Sequence, residues 1–219
     1  YPSWSAPCRE EKESCLDMSS DLKRRHFNEL ASRWDQLPGG AEAMPRVARF
    51  VERAVQPGAR RILDVGCGTG ILLPFLLNIC PAATCFVELD FAAEMLRENS
   101  RKFGERRVWR VCAEAQALPF PDGYFDLVLC FGVVPHLPDL NSALREQLRV
   151  LRPSGVFSVG HIMGSHELNA FHRSLGEPIC HDTLPPAESL AARLARLGAM
   201  PVAVEENPEW YFVQATKAL

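Results

Sequence analysis

The chain lacks any apolar run approaching the ~20 residues a membrane-spanning helix requires; the candidate Ile71 to Ile79 is broken by Pro74 and Asn78. It also lacks an excess of either charge. Against 27 Asp and Glu stand 24 Lys and Arg, a formal charge of −3, and the basic clusters Lys23-Arg24-Arg25 and Arg106-Arg107 are short and interrupted. A nucleic-acid partner, which needs a continuous basic footprint, is therefore not indicated. No Cys-x-x-Cys pair occurs among the eight cysteines at 8, 15, 67, 80, 85, 112, 130 and 180. Most lie in predicted strands or helices, as reduced thiols do, which places the protein in the cytoplasm or another reducing soluble compartment. Cys8 and Cys15, in the polar opening stretch, read as surface thiols, with pairing or a soft metal as the lesser alternative. There is no internal repeat and no low-complexity segment. The chain opens at Tyr1 without a methionine, which points to a segment upstream, and Glu10, Glu11 and Glu13 argue against an organelle transit peptide.

What is present suits one α/β domain: 219 residues, 47% hydrophobic and 23% charged, enough to fill a core. After the opening to about Ser19, Asp21 is placed to cap a helix with apolar positions Leu22, Phe27, Leu30, Ala31 and Trp34, ending before Pro38-Gly39-Gly40. A second helix spans about Ala41 to Val55 and stops at Pro57-Gly58. Then β-rich runs at 61–65, 84–89, 107–112, 125–131, 154–160, 201–205 and 210–217 alternate with helix-like segments at 70–79, 91–103, 140–151 and 186–198. Strands joined by crossover helices give a Rossmann-like, doubly wound parallel sheet with helices on both faces. Only Glu206-Asn207-Pro208-Glu209 separates the last two strands, too little for a crossover, so these form an antiparallel edge hairpin.

The chemistry concentrates in Leu63-Asp64-Val65-Gly66-Cys67-Gly68-Thr69-Gly70, between the first strand and the helix after it. Glycines at alternate positions let the chain turn sharply and let a ligand approach the backbone. The spacing is Gly-x-Gly-x-Gly, and Asp64 stands two residues before the first glycine, where it would repel a pyrophosphate. S-adenosylmethionine (SAM) carries an α-amino group and a sulfonium and no phosphate, so an acid at this turn matches its charge. A nicotinamide oxidoreductase is disfavoured on the same ground. Asp90 ends the second strand, where an acid accepts ribose hydroxyls, caps the next helix, or does both. Phe91 and Met95 suit one face of an adenine or the ordinary core. Glu114, after the third strand, can accept the adenine amine while the Ala115 amide meets a ring nitrogen.

Asp64 to Gly70, Val87 to Leu96, Glu114 to Asp126 and Leu148-Arg149-Val150-Leu151-Arg152-Pro153-Ser154-Gly155 together resemble the class I SAM-dependent methyltransferases, in particular the small-molecule group similar to ubiquinone and menaquinone C-methyltransferases. The resemblance covers about residues 58–162. It implies a seven-stranded sheet with a reversed final strand. It also implies that Asp64, Cys67 and the backbone of Gly66, Gly68 and Gly70 surround the methionine part, that Asp90 holds the ribose, and that Glu114 and Ala115 hold the adenine, with Phe91, Met95 and Phe131 completing the cofactor site. Two departures stand out: Glu114 where Asp is commoner, and Ser154 where a second glycine is usual. The implied organisation is a flexible segment 1–19 followed by a single domain 20–219. That domain comprises lid helices 20–56, a SAM-binding core 58–162, and a substrate-side segment and hairpin 161–219.

Methyl transfer from a sulfonium is an in-line displacement, so the protein has to align the partners and, for weakly acidic acceptors, take a proton. The fourth strand ends in Cys130-Phe131-Gly132-Val133-Val134-Pro135-His136, without the Asn/Asp-Pro-Pro-Tyr motif that grips planar amines. An O, S or C atom of a small molecule is thus the expected acceptor, with S-adenosylhomocysteine as product. His136, His161 and His172 are the candidate proton-handling residues, and Trp34, Asn169 and Arg173 the candidate substrate contacts. Four histidines and Asp182 invite a metal reading, but no tight ligand spacing accompanies them, and no metal is expected. The alternatives are a thiol or metalloid S-methyltransferase and a SAM-binding regulator without catalysis. Nothing in the sequence sets the oligomeric state.

Overall fold

The computed structural model describes residues 15–37, 40–56 and 58–219, the side chains of 15–19, 40 and 41 aside. The pairing considered for Cys8 and Cys15, and the breakers Pro38, Gly39 and Pro57, lie outside what is described. Seven strands form one sheet: β1 (Arg61–Val65), β2 (Cys85–Asp90), β3 (Val108–Cys112), β4 (Phe125–Phe131), β5 (Leu151–His161), β6 (Ala199–Asn207) and β7 (Trp210–Lys217). Their order is β3-β2-β1-β4-β5-β7-β6. Pairing is parallel from β3 through β5, and β7 runs antiparallel to both β5 and β6. The expected edge hairpin is present, with Asn207 opposite Trp210 and the Asn207 side chain accepting from the Glu209 amide at 3.0 Å to set the turn.

Among the described residues, seven α-helices accompany the sheet: α1 (Cys15–Leu30), α2 (Gly40–Ala54), α3 (Leu73–Ile79), α4 (Ala93–Lys102), α5 (Leu140–Val150), α6 (Ser165–Arg173) and α7 (Ala187–Arg196). Strand residues alternate between two cores. Leu63, Val65, Val128 and Cys130 pack with α5 and α7, while Ile62, Leu127 and Leu129 pack with α2 and α3. This is the two-sided burial that makes parallel strands near-continuous in apolar residues. Among the described residues, no helix is long and apolar enough to cross a membrane.

Several boundaries differ from expectation: α3 starts at Leu73 where 70 was expected, β5 at Leu151 where 154 was expected, and β6 spans 199–207 where 201–205 was expected. The first helix begins at Cys15, so Asp21 lies inside it instead of capping it, and its carboxylate meets Arg24 one turn on at 3.0 Å. No glycine or proline interrupts 15–20 to stop the helix from running upstream. The helix also hands over at Leu30 to a 3-10 turn, Ala31–Gln36, which carries Trp34.

The strand order reverses between β1 and β4, and the chain leaves these neighbours in opposite directions at their C-terminal ends. In an open α/β sheet a ligand crevice forms there, and the glycine turn after β1 and the His136 segment after β4 flank it.

Candidate cofactor and acceptor site

The turn after β1 is hooked to the end of β2: the amides of Gly66 and Cys67 both donate to the Leu89 carbonyl, at 2.7 and 3.0 Å. Gly66, Gly68 and Gly70 all have left-handed backbone (φ 70°, 54° and 89°). A Cβ on Gly66 would lie 2.3 Å from Val133 Cγ2, and one on Gly70 2.6 Å from Asn99 Nδ2, whereas one on Gly68 would meet nothing within 4 Å. Two of the three glycines thus serve close packing, and Gly68 alone faces open space.

Three acids lie on one face of the sheet beside this turn. Asp64 and Glu88 are register partners on β1 and β2, and Asp90 follows two residues on. All three are buried. Asp90 accepts from the Ala92 amide at 2.8 Å and from the Gly68 amide at 2.9 Å, so it braces the glycine turn and the bend leading to α4, whose N-cap is Ala92 and which has no side-chain cap. Glu88 Oε2 accepts from Asn99 at 2.9 Å, and Asn99 in turn accepts from Arg110 at 2.7 Å. Asp64 Oδ2 and Glu88 Oε1 have no hydrogen-bond partner. Burial drives the Asp64 carboxyl well up, helped by the charges of Glu88 and Asp90. Burial also raises Glu88 to about 7 and Asp90 to about 6, against the hydrogen bonds each accepts. An orphaned carboxylate oxygen inside a crowd of acids is a costly arrangement that a cationic, donor-rich ligand would relieve. A phosphate would worsen it. The residues therefore fit SAM: Asp64 toward its ammonium end, the remaining lone pairs of Asp90 toward ribose hydroxyls, and Gly68 as the point of close approach.

The same cleft runs from Gly66 and Asp90 to Phe91, Glu114, Ala115, Gln116, His136 and Lys23. Helix α1 lies over it. Arg24 donates to Glu114 Oε1 at 2.5 Å, and Asn28 accepts from the Glu94 amide at 2.9 Å. From the 3-10 turn, Asp35 accepts from Thr69 at 2.6 Å and Lys102 at 2.7 Å, tying the segment to the glycine turn itself. Phe27 is the centre of this cover, edge-on to Phe91 and Trp34, each 5.8 Å away, and to His136 at 5.3 Å. Met95 is buried beneath them with Ala92 and Ile179, and Trp34 is half-buried. Phe131, on the Asp64 face, packs against Phe50 at 4.7 Å.

Beyond β4 and β5 the three singled-out histidines come together. The ring of His136 lies 5.3 Å from that of His172, and both act electrostatically on His161. Their hydrogen bonds define their tautomers. His136 Nδ1 lies 2.6 Å from Asp182 Oδ2, and a carboxylate only accepts, so Nδ1 carries a proton and, in the neutral ring, Nε2 carries the lone pair. His172 Nδ1 lies 2.9 Å from the Asp182 carbonyl, with the same consequence. His161 Nδ1 instead accepts from the Met163 amide at 3.3 Å, which leaves Nε2–H as a donor. Crowding by the protein, with His136 and His172 adding to it, pushes His161 down to about 3. Burial likewise lowers His172, with the Asp182 carbonyl partly opposing. His161 and His172 are thus neutral at physiological pH.

Asn169 has both ends of its amide committed to the backbone of Leu184, at 2.9 and 2.7 Å, and Arg173 is exposed. Among the described residues, the one set of three potential metal ligands with mutually close donor atoms is Glu177, Cys180 and His181, on the segment that leads into Asp182, and it includes none of His136, His161 and His172.

Residues 63–159 match the methyltransferase domain family. Over 136 residues the chain is 41% identical to a demethylmenaquinone methyltransferase of Thermus thermophilus, covering 59% of this chain and 60% of that one. Residues 63–159 thus carry a methyltransferase domain similar to those of the class I SAM-dependent methyltransferases. A malonyl-[acyl-carrier protein] O-methyltransferase of Halorhodospira halophila is 36% identical over 160 residues, 70% of this chain and 53% of the relative. A SAM-dependent methyltransferase from Aquifex aeolicus shares the fold with a TM-score of 0.66, over 88% of this chain and 97% of that one at 21% identity. The chain spans about three fifths of the length of the curated relatives it matches.

Sequence reasoning passed over Lys23, Arg24 and the role of Asp182. Lys23 and Arg24 read as part of a short basic cluster, and Asp182 only as a metal ligand. Their partners, Asp182 and Glu114, lie 159 and 90 residues away in the chain, a separation no local pattern reveals.

Proposed function

We propose that this chain transfers the SAM methyl group to an oxygen or carbon atom of a small, weakly acidic acceptor; the names of its relatives include an O-methyltransferase and C-methyltransferases. The observation that carries the reading is the pairing of two half-sites across the β1/β4 switch point: the unpartnered Asp64 carboxylate by open Gly68, and the histidines gathered beyond β4 and β5. Bound SAM supplies an electrophilic methyl on a sulfonium. The chain's own residues do the rest. Asp64, Asp90 and the glycine turn fix the donor, His161 Nε2–H offers a hydrogen bond to an acceptor oxygen, and His136 and His172 offer lone pairs to its proton. Helix α1 with Phe27 and Trp34 keeps water from the site.

Methylation of a thiol or metalloid finds less support. Cys67, Cys80 and Cys130 are buried, and burial raises the Cys67 and Cys80 thiols, which disfavours the reactive thiolate. Free cysteines of this kind suit a reducing compartment.

Calorimetric titration with SAM and S-adenosylhomocysteine tests the reading, on the wild type and on Asp64→Asn and Gly68→Val. Micromolar binding by the wild type, lost or weakened at least about tenfold in both variants, supports it and justifies a labelled-methyl screen of phenols, quinols and thiols. A folded wild type that binds neither ligand overturns it. Binding without turnover across the screen favours the regulatory alternative.

A further inference from the structure

Asp182 is a buried carboxylate whose two oxygens are held by two different parts of the molecule. Lys23 of α1 donates to Oδ1 at 2.5 Å, and His136 donates to Oδ2 at 2.6 Å. Its backbone is fixed independently: the carbonyl accepts from His172 at 2.9 Å, the amide donates to Ile179 at 2.9 Å, and Asn169 pins Leu184 two residues on. A side chain anchored on this many sides holds its orientation without help from a ligand.

From this juxtaposition we infer that Asp182 is the positioning residue that presents His136 Nε2 as proton acceptor for the methyl acceptor, and that the same carboxylate latches helix α1 closed through Lys23. The inference rests on the methyltransferase reading for the identity of the proton's source. An acceptor O–H, or a C–H made acidic by a neighbouring oxygen, gives its proton to His136 Nε2. The electron pair left on the acceptor forms the bond to the methyl carbon, and the carbon–sulfur bond breaks with its electrons going to sulfur. The imidazolium formed on His136 is stabilised by Asp182 and returns its proton to water. Groups facing His136 from the surrounding elements are Asp182, His172 on α6, His161 on β5, and Phe27 and His26 on α1, with Lys23 behind Asp182. Asp182 is the one carboxylate in this set, so it alone can both orient the ring and offset its positive charge.

Nitrogen NMR of histidine-labelled, ligand-free full chain reads the positioning directly, and amide hydrogen exchange of residues 20–30 reads the latch. In the wild type, His136 should show a protonated Nδ1 and an unprotonated Nε2 at pH above its titration. Asp182→Asn should replace this by a mixture of tautomers, because an amide can donate as well as accept. It should also speed exchange in α1 roughly tenfold or more, since the buried partner of Lys23 is gone. Lys23→Met should speed α1 exchange to a similar extent and leave the His136 tautomer as in the wild type. An Nε2-protonated His136 in the wild type overturns the inference without recourse to any variant. So does an unchanged tautomer in Asp182→Asn, or a tautomer disturbed as much by Lys23→Met. These readouts need no SAM, so failure of the cofactor reading in calorimetry is distinguishable from failure here.

Discussion

Arg24 on α1 forms an ion pair at 2.5 Å with Glu114, the acid beyond β3 at the adenine end of the cleft. The cover over the site is therefore fastened to the very group expected to read the base. Exposed pairs of this kind contribute at most about 1 kcal/mol, and both partners here are about two-fifths and one-third exposed. Binding of an adenine amine to Glu114 has to displace or share this contact. Arg24→Met should consequently tighten S-adenosylhomocysteine binding modestly, by up to about fivefold, the equivalent of the lost competitor. Calorimetry on the variant checks this. Weaker binding would show that Arg24 assists the ligand instead of standing in its way.

The three glycines of the turn should respond differently to the same substitution. Gly66→Ala places a methyl 2.3 Å from a Val133 methyl in a half-buried contact, so the glycine turn and the segment after β4 must separate. Loss of stability by about 2–3 kcal/mol is expected, from overpacking added to left-handed strain. Gly68→Ala has room and carries the backbone strain alone, about 1–2 kcal/mol. Urea denaturation of the two variants should rank them in that order, and equal losses would mean that the Val133 contact yields easily.

Ser154 is the one described non-glycine residue with a positive φ, at 58°. It occupies the tight turn before β5 continues to Gly155, where methyltransferases of this class usually carry glycine. A serine in left-handed backbone costs about 1–2 kcal/mol, partly balanced by the extra freedom glycine has in the unfolded chain. Ser154→Gly should raise stability by up to about 1 kcal/mol without altering cofactor affinity. A rise in melting temperature with unchanged SAM titration is the expected pair of results.

What the residues told in advance divides by range. The alternation of β-rich and helical periods, and the short spacer at Glu206–Glu209, were enough for the sheet and its final hairpin, because strand order follows from chain-local crossovers and handedness. Asp64, the glycines and Asp90 were legible for the same reason: they sit on one turn and the strand ends beside it. The electrostatics were not. That Asp64 and Glu88 are neighbours depends on strand register, and that Asn99 and Arg110 serve Glu88 depends on how α4 lies on β2 and β3. The acceptor side was half legible. His136, His161 and His172 lie on three separate elements and converge only in the fold, while Asp182, whose carboxylate holds His136 and whose backbone carbonyl holds His172, was visible in the sequence merely as a possible metal ligand.

The acid cluster also sets a pH dependence of known sign. Burial holds Glu88 at about 7 and Asp90 at about 6, both above ordinary carboxyl values, and pushes Asp64 up as well. In the window between the unfolded values near 4–4.5 and these folded ones, the native state binds more protons than the unfolded chain. Stability from this cluster is therefore greatest at the acidic end, falls as pH rises through about 6 to 7, and stays low above. Glu88→Gln removes one of the displaced charges, keeps an acceptor oxygen for Asn99, and should flatten the curve between pH 5 and 8 relative to wild type. SAM binding should follow the opposite course. The ionised cluster that weakens the ligand-free fold is what draws a cationic ligand in, so affinity should increase from pH 5 to pH 8. Urea denaturation and calorimetry at matched pH values test both slopes. If wild type and Glu88→Gln lose stability in parallel as pH rises, the acids beside the glycine turn are not the source of the dependence.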